Sequence, residues 1–256
     1  MILKEWEDLP HEMQCDEVRY YYDILSKHKG SLVLKRVFDI VVSAILLAVL
    51  SPMFLVISIA IAMDSKGSVF FLQERVTTYG RHFKIIKFRT MVQDAEKIGS
   101  QLTTSNDLRV TKVGKFLRNC RLDEIPQLIC ILDGDMSFVG TRPEVPKYVD
   151  RYAKKMLATL LLPAGVTSET SILYKDEYRL LDEAANVDDT YVNEVLPEKM
   201  YYNLKSIEHF NFLHEIATMF RTVLVVCGKK YTGDNPVRVA CECGEENDCK
   251  NIGEKN

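Results

Sequence analysis

Two adjacent carboxylates, Asp123 and Glu124, sit in a stretch crowded with cations. Upstream, Lys84, Lys87 and Arg89 fall within the strand-like run KIIKFR. Side chains two apart on a strand share a face, which would point Lys87 and Arg89 together. An ammonium beside a guanidinium suits a diphosphate. Arg118 and Arg121 come just ahead of the carboxylates in FLRNCRLDE. Asp133-Gly134-Asp135 follows, and Gly140-Thr141-Arg142-Pro143 places an arginine in a loop stiffened by proline. Cations gathered around two carboxylates fit chemistry on phosphorus. The cations hold a negative substrate, and a carboxylate either ligates magnesium or attacks phosphorus to give an acyl phosphate. An Asp-Glu pair is also the ordinary content of a solvated first helical turn, and spacing alone does not separate the two readings.

Other chemistries lack their residues. The chain has no Walker loop, no Rossmann glycine fingerprint, no GxSxG and no HExxH. His209 and His214 are five apart, off one helical face, and read as structural. The seven cysteines are odd in number and irregularly spaced, which suits a reducing compartment. Cys241, Cys243 and Cys249 lack a nearby fourth ligand for a closed zinc site. Apart from one basic block, nothing points to nucleic acid.

Positioning such a site is the task of the surrounding elements. The net charge of −3 hides strong segregation. Residues 27–120 carry fifteen basic side chains against six acidic ones, whereas residues 1–26 carry two against seven. The basic block flanks the run Ile40–Met63, which is 24 residues without a charge. That length reads as a membrane helix, and a basic flank suits anionic headgroups or phosphorylated substrates. Ser51-Pro52 interrupts the run near its middle, where the missing proline N–H predicts a bend or break. Each half, about 17 Å long, is too short to cross a hydrocarbon core of about 30 Å. The halves therefore either dip in and return, or form one kinked spanning helix. The Ser51 hydroxyl is placed to satisfy a carbonyl freed by the break. Positive residues precede and follow the run (Lys27, Lys29, Lys35 and Arg36; Lys66, Arg75 and Arg81), which favours both ends on the cytoplasmic side.

Residues 68–90 predict a hairpin turning at Tyr79-Gly80. Helices are expected at 91–99 and 112–121, with Pro126 placing Asp123 and Glu124 at or near a helix start. Gly134 and Gly140 bracket a loop. Residues 147–162 are amphipathic, suited either to a membrane surface or to a core. The loop PAGVTSE, an acidic helix near 176–186 and a last helix at about 198–226 follow. The first 30 residues read as a polar extension without a signal peptide, and the chain beyond Tyr231 reads as a polar, disordered tail.

The segments KRVFDIVVSAILLAVLSPMFLVISIAIAMDSKGSVFFLQERV, FKIIKFRTM, TKVGKFLR, RLDEIPQLICILDGDMSFVGTRPE and LPAGVTSE occur in order between about Lys35 and Lys230. In them the chain resembles the bacterial sugar transferase family, the monotopic polyprenyl-phosphate phosphoglycosyl transferases. The lack of further membrane helices or a second catalytic domain points to that family's small, minimal form. The resemblance implies a fold of the α+β class, mostly helical. A re-entrant helix-break-helix, broken at Ser51 and Pro52, would precede a small catalytic domain with a β-hairpin and interfacial amphipathic helices. It implies a dyad with Asp123 as nucleophile and Glu124 beside it, and magnesium as cofactor with Asp123 as ligand. Phosphate-binding positions would be Lys87, Arg89, Arg118 and Arg142, with Pro143 shaping the last loop. The implied partners are a uridine-diphosphate sugar, a polyprenyl (undecaprenyl) phosphate and the bacterial inner membrane, with the catalytic domain on its cytoplasmic face. Homo-oligomers and downstream glycosyltransferases remain open.

The expected division is an extension at 1–34, a membrane helix at 35–66, a catalytic domain at 67–230 and a tail at 231–256. Two departures stand out. The family's Gly-Pro-Arg-Pro is Gly140-Thr141-Arg142-Pro143 here, which loosens the loop but keeps the arginine. Its PGITG loop is Pro163-Ala164-Gly165-Val166-Thr167-Ser168 here, and Ser168 would be strained if that position needs a positive φ. The competing reading is a non-catalytic membrane scaffold of the same fold.

Overall fold

A computed structural model describes residues 3–95, 107–174 and 187–226. The fold is mostly helical with two small sheets. Two short 3-10 turns, Trp6–Asp8 and His11–Met13, lead into helix α1 (Asp16–Ser26). Val18, Tyr21, Tyr22 and Leu25 recur at the spacing of one helical face, and all four are buried. With Leu3, Leu9 and Met13 they pack onto Leu160, Leu161 and Leu204. The segment 3–26, polar in composition, thus lends its apolar minority to the main core.

Helix α2 (Lys29–Asp64) is 36 residues long. It is long and apolar enough to cross a membrane, and only 11% of its most apolar window is buried within the protein. Helical hydrogen bonding continues past Pro52, so the expected two halves form one element. The reason is local: Ser51 Oγ donates to Ala48 O at 2.8 Å, the carbonyl that the residue-52 N–H would have served. The exposed apolar side chains Val41, Ile45, Val49, Leu55, Val56, Ile59 and Met63 run along most of its length.

Strands β1 (Phe70–Val76) and β2 (His82–Phe88) pair antiparallel, with Phe71 opposite Lys87 and Arg75 opposite Phe83. Tyr79 and Gly80, at φ 58 and 75, make the expected turn. Phe83 and Ile85 face the core formed by Leu128, Ile131, Met136 and Phe138. Phe88 points the other way and is still buried, because Ile57 and Ile61 of α2 and Leu117 cover it.

Helix α3 (Lys112–Asn119) and α4 (Gln127–Asp133) are joined by a 3-10 turn, Leu122–Glu124. Strands β3 (Met136–Val139) and β4 (Ala164–Thr167) pair in parallel. Composition had read both as loops, because each is only four residues long. Gly140 and Gly165 let the chains meet beyond the ladder: a Cβ on Gly165 would lie 2.2 Å from Gly140 N.

Between these strands come α5 (Pro146–Val149) and a 3-10 stretch, Lys154–Leu161. Met156, Ala158, Thr159, Leu160 and Leu161 are buried there, so the apolar side of this amphipathic segment serves the core, while Lys154 and Lys155 stay exposed. After α6 (Glu169–Leu173) and α7 (Val187–Thr190), a π-helical turn at Tyr191–Val195 opens α8 (Leu196–Glu208). A break at 209–211 separates α8 from α9 (Phe212–Val226), dividing the single last helix expected from sequence. The acidic helix near 176–186, residues 96–99 of the helix expected at 91–99, and the cysteine-bearing tail lie outside the described residues; Met91, at the start of that expected helix, instead bridges to Val110, and a turn follows.

Candidate active site

Helix α3 sets the approach to the carboxylates. Thr111 caps it, its Oγ1 accepting from Gly114 N at 3.0 Å. Gly114 lies flat on Thr90, and a Cβ there would come within 2.0 Å of Thr90 O. One turn on, Arg118 Nε donates to Thr90 Oγ1 at 2.8 Å. The chain then turns through Arg121, whose φ of 57 is left-handed and uncommon for a side-chain-bearing residue. That reversal delivers Asp123 and Glu124 on the 3-10 turn, ahead of Pro126 and α4.

Glu124 is held by two of the expected cations. Arg142 Nη2 donates to Glu124 Oε1 at 2.6 Å, and Lys87 Nζ lies 3.4 Å from the same oxygen. Asp123 is 9% exposed, and its Oδ1 is buried without a hydrogen-bond partner. Burial alone would raise both carboxyl pKa values. At Glu124 the nearby Arg142 and Lys87 outweigh burial and hold the carboxyl well below the usual range. At Asp123 burial and the Glu124 charge prevail over Lys87, Arg118 and Arg121, so its pKa is raised. The two neighbouring carboxyls are thus driven in opposite directions, Glu124 by its ion pairs and Asp123 by its burial beside that charge. Burial brings the Lys87 pKa down to about 8, against the pull of Glu124.

Arg89 goes elsewhere. Lying one residue past β2, it sends Nη2 to Ser65 O at 2.6 Å and to Ser65 Oγ at 3.0 Å. It therefore caps the carboxyl end of α2, where a cation meets the negative end of the helix dipole, and is not beside Lys87 at the dyad. Its buried Nε and Nη1 have no hydrogen-bond partner. The backbone carbonyl of Pro143 accepts from Arg75 Nη1 at 3.0 Å.

In the sequence Arg75 stands only as a charge flanking the apolar run. Register places it on the same hairpin face as Lys87, and its charge acts on Lys87. The signal was available in Gln73-x-Arg75, two residues on one strand face; Gln73 Oε1 now orients Arg75 Nη2 at 2.7 Å. Ser168 is not strained. Its φ is −157, and its side chain caps α6 by accepting from Ser171 N at 2.9 Å. Asp135 pairs with Arg81 at 2.6 Å and not with the cations around the dyad.

Among the described residues no three His, Cys, Asp or Glu side chains converge as an all-protein metal site. The unpartnered Asp123 Oδ1 nevertheless fits a magnesium ion of the kind that takes one or two carboxylates and completes its shell with phosphate and water oxygens.

Residues 30–229 match the family described as bacterial sugar transferase. Among curated proteins, the chain is 33% identical over 196 residues to UDP-N-acetylgalactosamine-undecaprenyl-phosphate N-acetylgalactosaminephosphotransferase of Aeromonas hydrophila, covering 75% of this chain and 43% of that protein. It is 34% identical over 194 residues to UDP-glucose:undecaprenyl-phosphate glucose-1-phosphate transferase of Escherichia coli, covering 74% of this chain and 39% of the relative. It is 29% identical over 208 residues to the exopolysaccharide production protein ExoY of Sinorhizobium fredii, covering 75% and 85%. The chain thus spans about two fifths of the length of the first two. With the match running from the start of α2 to just beyond α9, this chain belongs to the bacterial sugar transferase family.

Proposed function

We infer that this protein moves a sugar phosphate from a UDP-sugar to a polyprenyl phosphate, releasing UMP and beginning the membrane-bound assembly of a glycan. The observation that carries the reading is the divided dyad: Glu124 pinned by Arg142 and Lys87, beside Asp123 with an unpartnered buried oxygen. The named substrates of the two longer relatives, UDP-sugars and undecaprenyl phosphate, support it.

The steps follow from the side chains. Lys87 and Arg142 receive the diphosphate, with Arg118 on the Asp123 side. An Asp123 carboxylate oxygen attacks the sugar-bearing phosphorus. The bond from that phosphorus to the bridging oxygen breaks, and UMP leaves with the electron pair. The sugar phosphate is then joined to Asp123 as a mixed anhydride. An oxygen of the polyprenyl phosphate next attacks the same phosphorus, the bond to Asp123 breaks, and the carboxylate is restored. Asp123, with Glu124 beside it, would hold magnesium, which supplies charge neutralisation on the diphosphate. The raised pKa of Asp123 makes its carboxylate a stronger nucleophile once ionised.

The acceptor's phosphate lies at headgroup depth, so the dyad must lie there too. A re-entrant α2 would set that height. A straight helix of 36 residues measures about 54 Å, yet both its ends grip one small domain. Lys35 Nζ reaches Val139 O at 2.8 Å near one end, while Asp64 Oδ2 accepts from Val113 N at 3.0 Å at the other. This supports a path bent at Pro52, with both ends and the catalytic domain on the cytoplasmic face.

The test is UMP release by purified protein given undecaprenyl phosphate, magnesium and a panel of UDP-sugars. Release with one sugar, dependent on lipid and metal, is expected. No release from any donor would overturn the reading in favour of a scaffold.

A further inference from the structure

A second buried polar group lies behind Arg142, and the mechanism above does not use it. Glu144, two residues on, is 7% exposed. Its Oε1 accepts from the Tyr191 hydroxyl at 2.6 Å and from Lys199 Nζ at 3.3 Å. Lys199 Nζ also donates to the Tyr191 hydroxyl oxygen at 3.0 Å. All three side chains are buried. Next to them, Tyr148 donates to Asp188 Oδ1 at 2.7 Å and Lys147 Nζ donates to Asp188 Oδ2 at 2.6 Å. On the opposite side, Val76 N donates to Glu144 O and Arg75 Nη1 to Pro143 O, both at 3.0 Å. The stretch 143–148 is therefore tied to β1 on one flank and to α7, the π-helical turn and α8 on the other.

A buried ion pair is a poor source of net stability, because desolvation offsets its attraction. It is an effective way to fix geometry. Arg142 itself has a half-exposed side chain, and an arginine on a free loop would lose much rotamer entropy on reaching a phosphate. The lysine, the tyrosine and Arg75 keep the Glu144 carboxyl ionised despite its burial.

We propose that Glu144, Tyr191 and Lys199 are positioning residues that fix the 140–145 loop and thereby set the reach of Arg142 to Glu124 and to a substrate phosphate. The substrate half of this statement rests on the proposed function; the loop half does not.

Two variants of the full chain test it. Tyr191→Phe removes one hydroxyl and keeps the ring. Glu144→Gln with Lys199→Met removes both charges, so that neither is left stranded. Amide hydrogen exchange across 140–145 is expected to quicken about tenfold in both variants, with exchange in β2 and α4 unchanged. In UMP release, Tyr191→Phe is expected to lower kcat/KM about tenfold when Arg142 is present, and less than about twofold in an Arg142→Ala background. Unchanged exchange at 140–145 in both variants overturns the loop claim, whether or not any donor is turned over. Equal losses with and without Arg142 overturn the claim that the group acts through that arginine. Failure of the unmodified chain to release UMP from any donor sinks the functional reading instead and leaves the exchange result to decide the loop.

Discussion

At the scale of single residues, two adjacent carboxyls have different surroundings: Glu124 is ion-paired, and Asp123 is buried with an unpartnered oxygen. Asp123→Asn keeps size and burial but removes the attacking charge, and UMP release should fall to background while the thermal unfolding profile stays close to that of the unmodified protein. Retained turnover would remove Asp123 as the nucleophile. The pH dependence has two limbs. In the proposed reaction Asp123 attacks as its carboxylate, and its pKa is raised, so kcat/KM should decline as pH falls, beginning above the ordinary carboxylate range. In the same proposal a charged Lys87 holds phosphate, and burial lowers its pKa to about 8, so kcat/KM should also decline as pH rises through that value. Lys87→Arg keeps its charge at any accessible pH. It should abolish the alkaline limb while leaving the acid limb in place, and a profile identical to that of the unmodified protein would show that another group sets the alkaline limb.

At the scale of elements, close backbone contacts aim the site. Gly114 allows α3 to lie directly on Thr90, and both Arg118 and the Arg121 reversal depend on that seat. Gly114→Ala forces Thr90 or α3 to move, with an expected cost of about 1–3 kcal/mol from overpacking and a matching fall in Tm. Ser168 gives the opposite lesson. Its backbone is extended and its hydroxyl caps α6, so restoring the family's glycine should bring no gain in stability. Ser168→Ala should lose about 1 kcal/mol and Ser168→Gly only a few tenths, a ranking that chemical denaturation can read.

At the scale of the whole molecule, α2 and the catalytic domain form one structure joined at both ends of the helix. The buried contact of Lys35 with Glu215 ties α2 to α9, and Arg36 donates to Ile131 O at 2.6 Å, tying it to α4. Arg89 holds the other end. In the proposed re-entrant arrangement, a helix fixed this way would set the height of the dyad relative to the bilayer. Single cysteines replacing Lys27 and Lys66, in a chain whose native cysteines are removed, should both react with a membrane-impermeant label only from the cytoplasmic side. Labelling of either from the periplasmic side would rule out the re-entrant path.

The residue order by itself determined the long apolar helix, the hairpin and its turn, the helix at 112–119 and the polar residues that could act on phosphorus. These are written in local patterns: an uncharged run, alternation around a glycine, and fixed motifs. It pointed to Ser51 as the donor beside Pro52, and the structure showed that Ser51 serves Ala48 O. The pairing of β3 with β4 was hidden, because a parallel pair of four-residue strands separated by 24 residues leaves no local period. The same holds for the burial of 3–26 and 154–161, two weakly apolar segments that become a core only against each other. Only the tertiary structure decided that Arg142 and Lys87 converge on Glu124, that Arg89 turns away to cap α2, and that Arg75 and Glu144 stand behind the loop. Charge type is a property of the residue, whereas a partner is chosen by whatever the fold brings within about 3 Å.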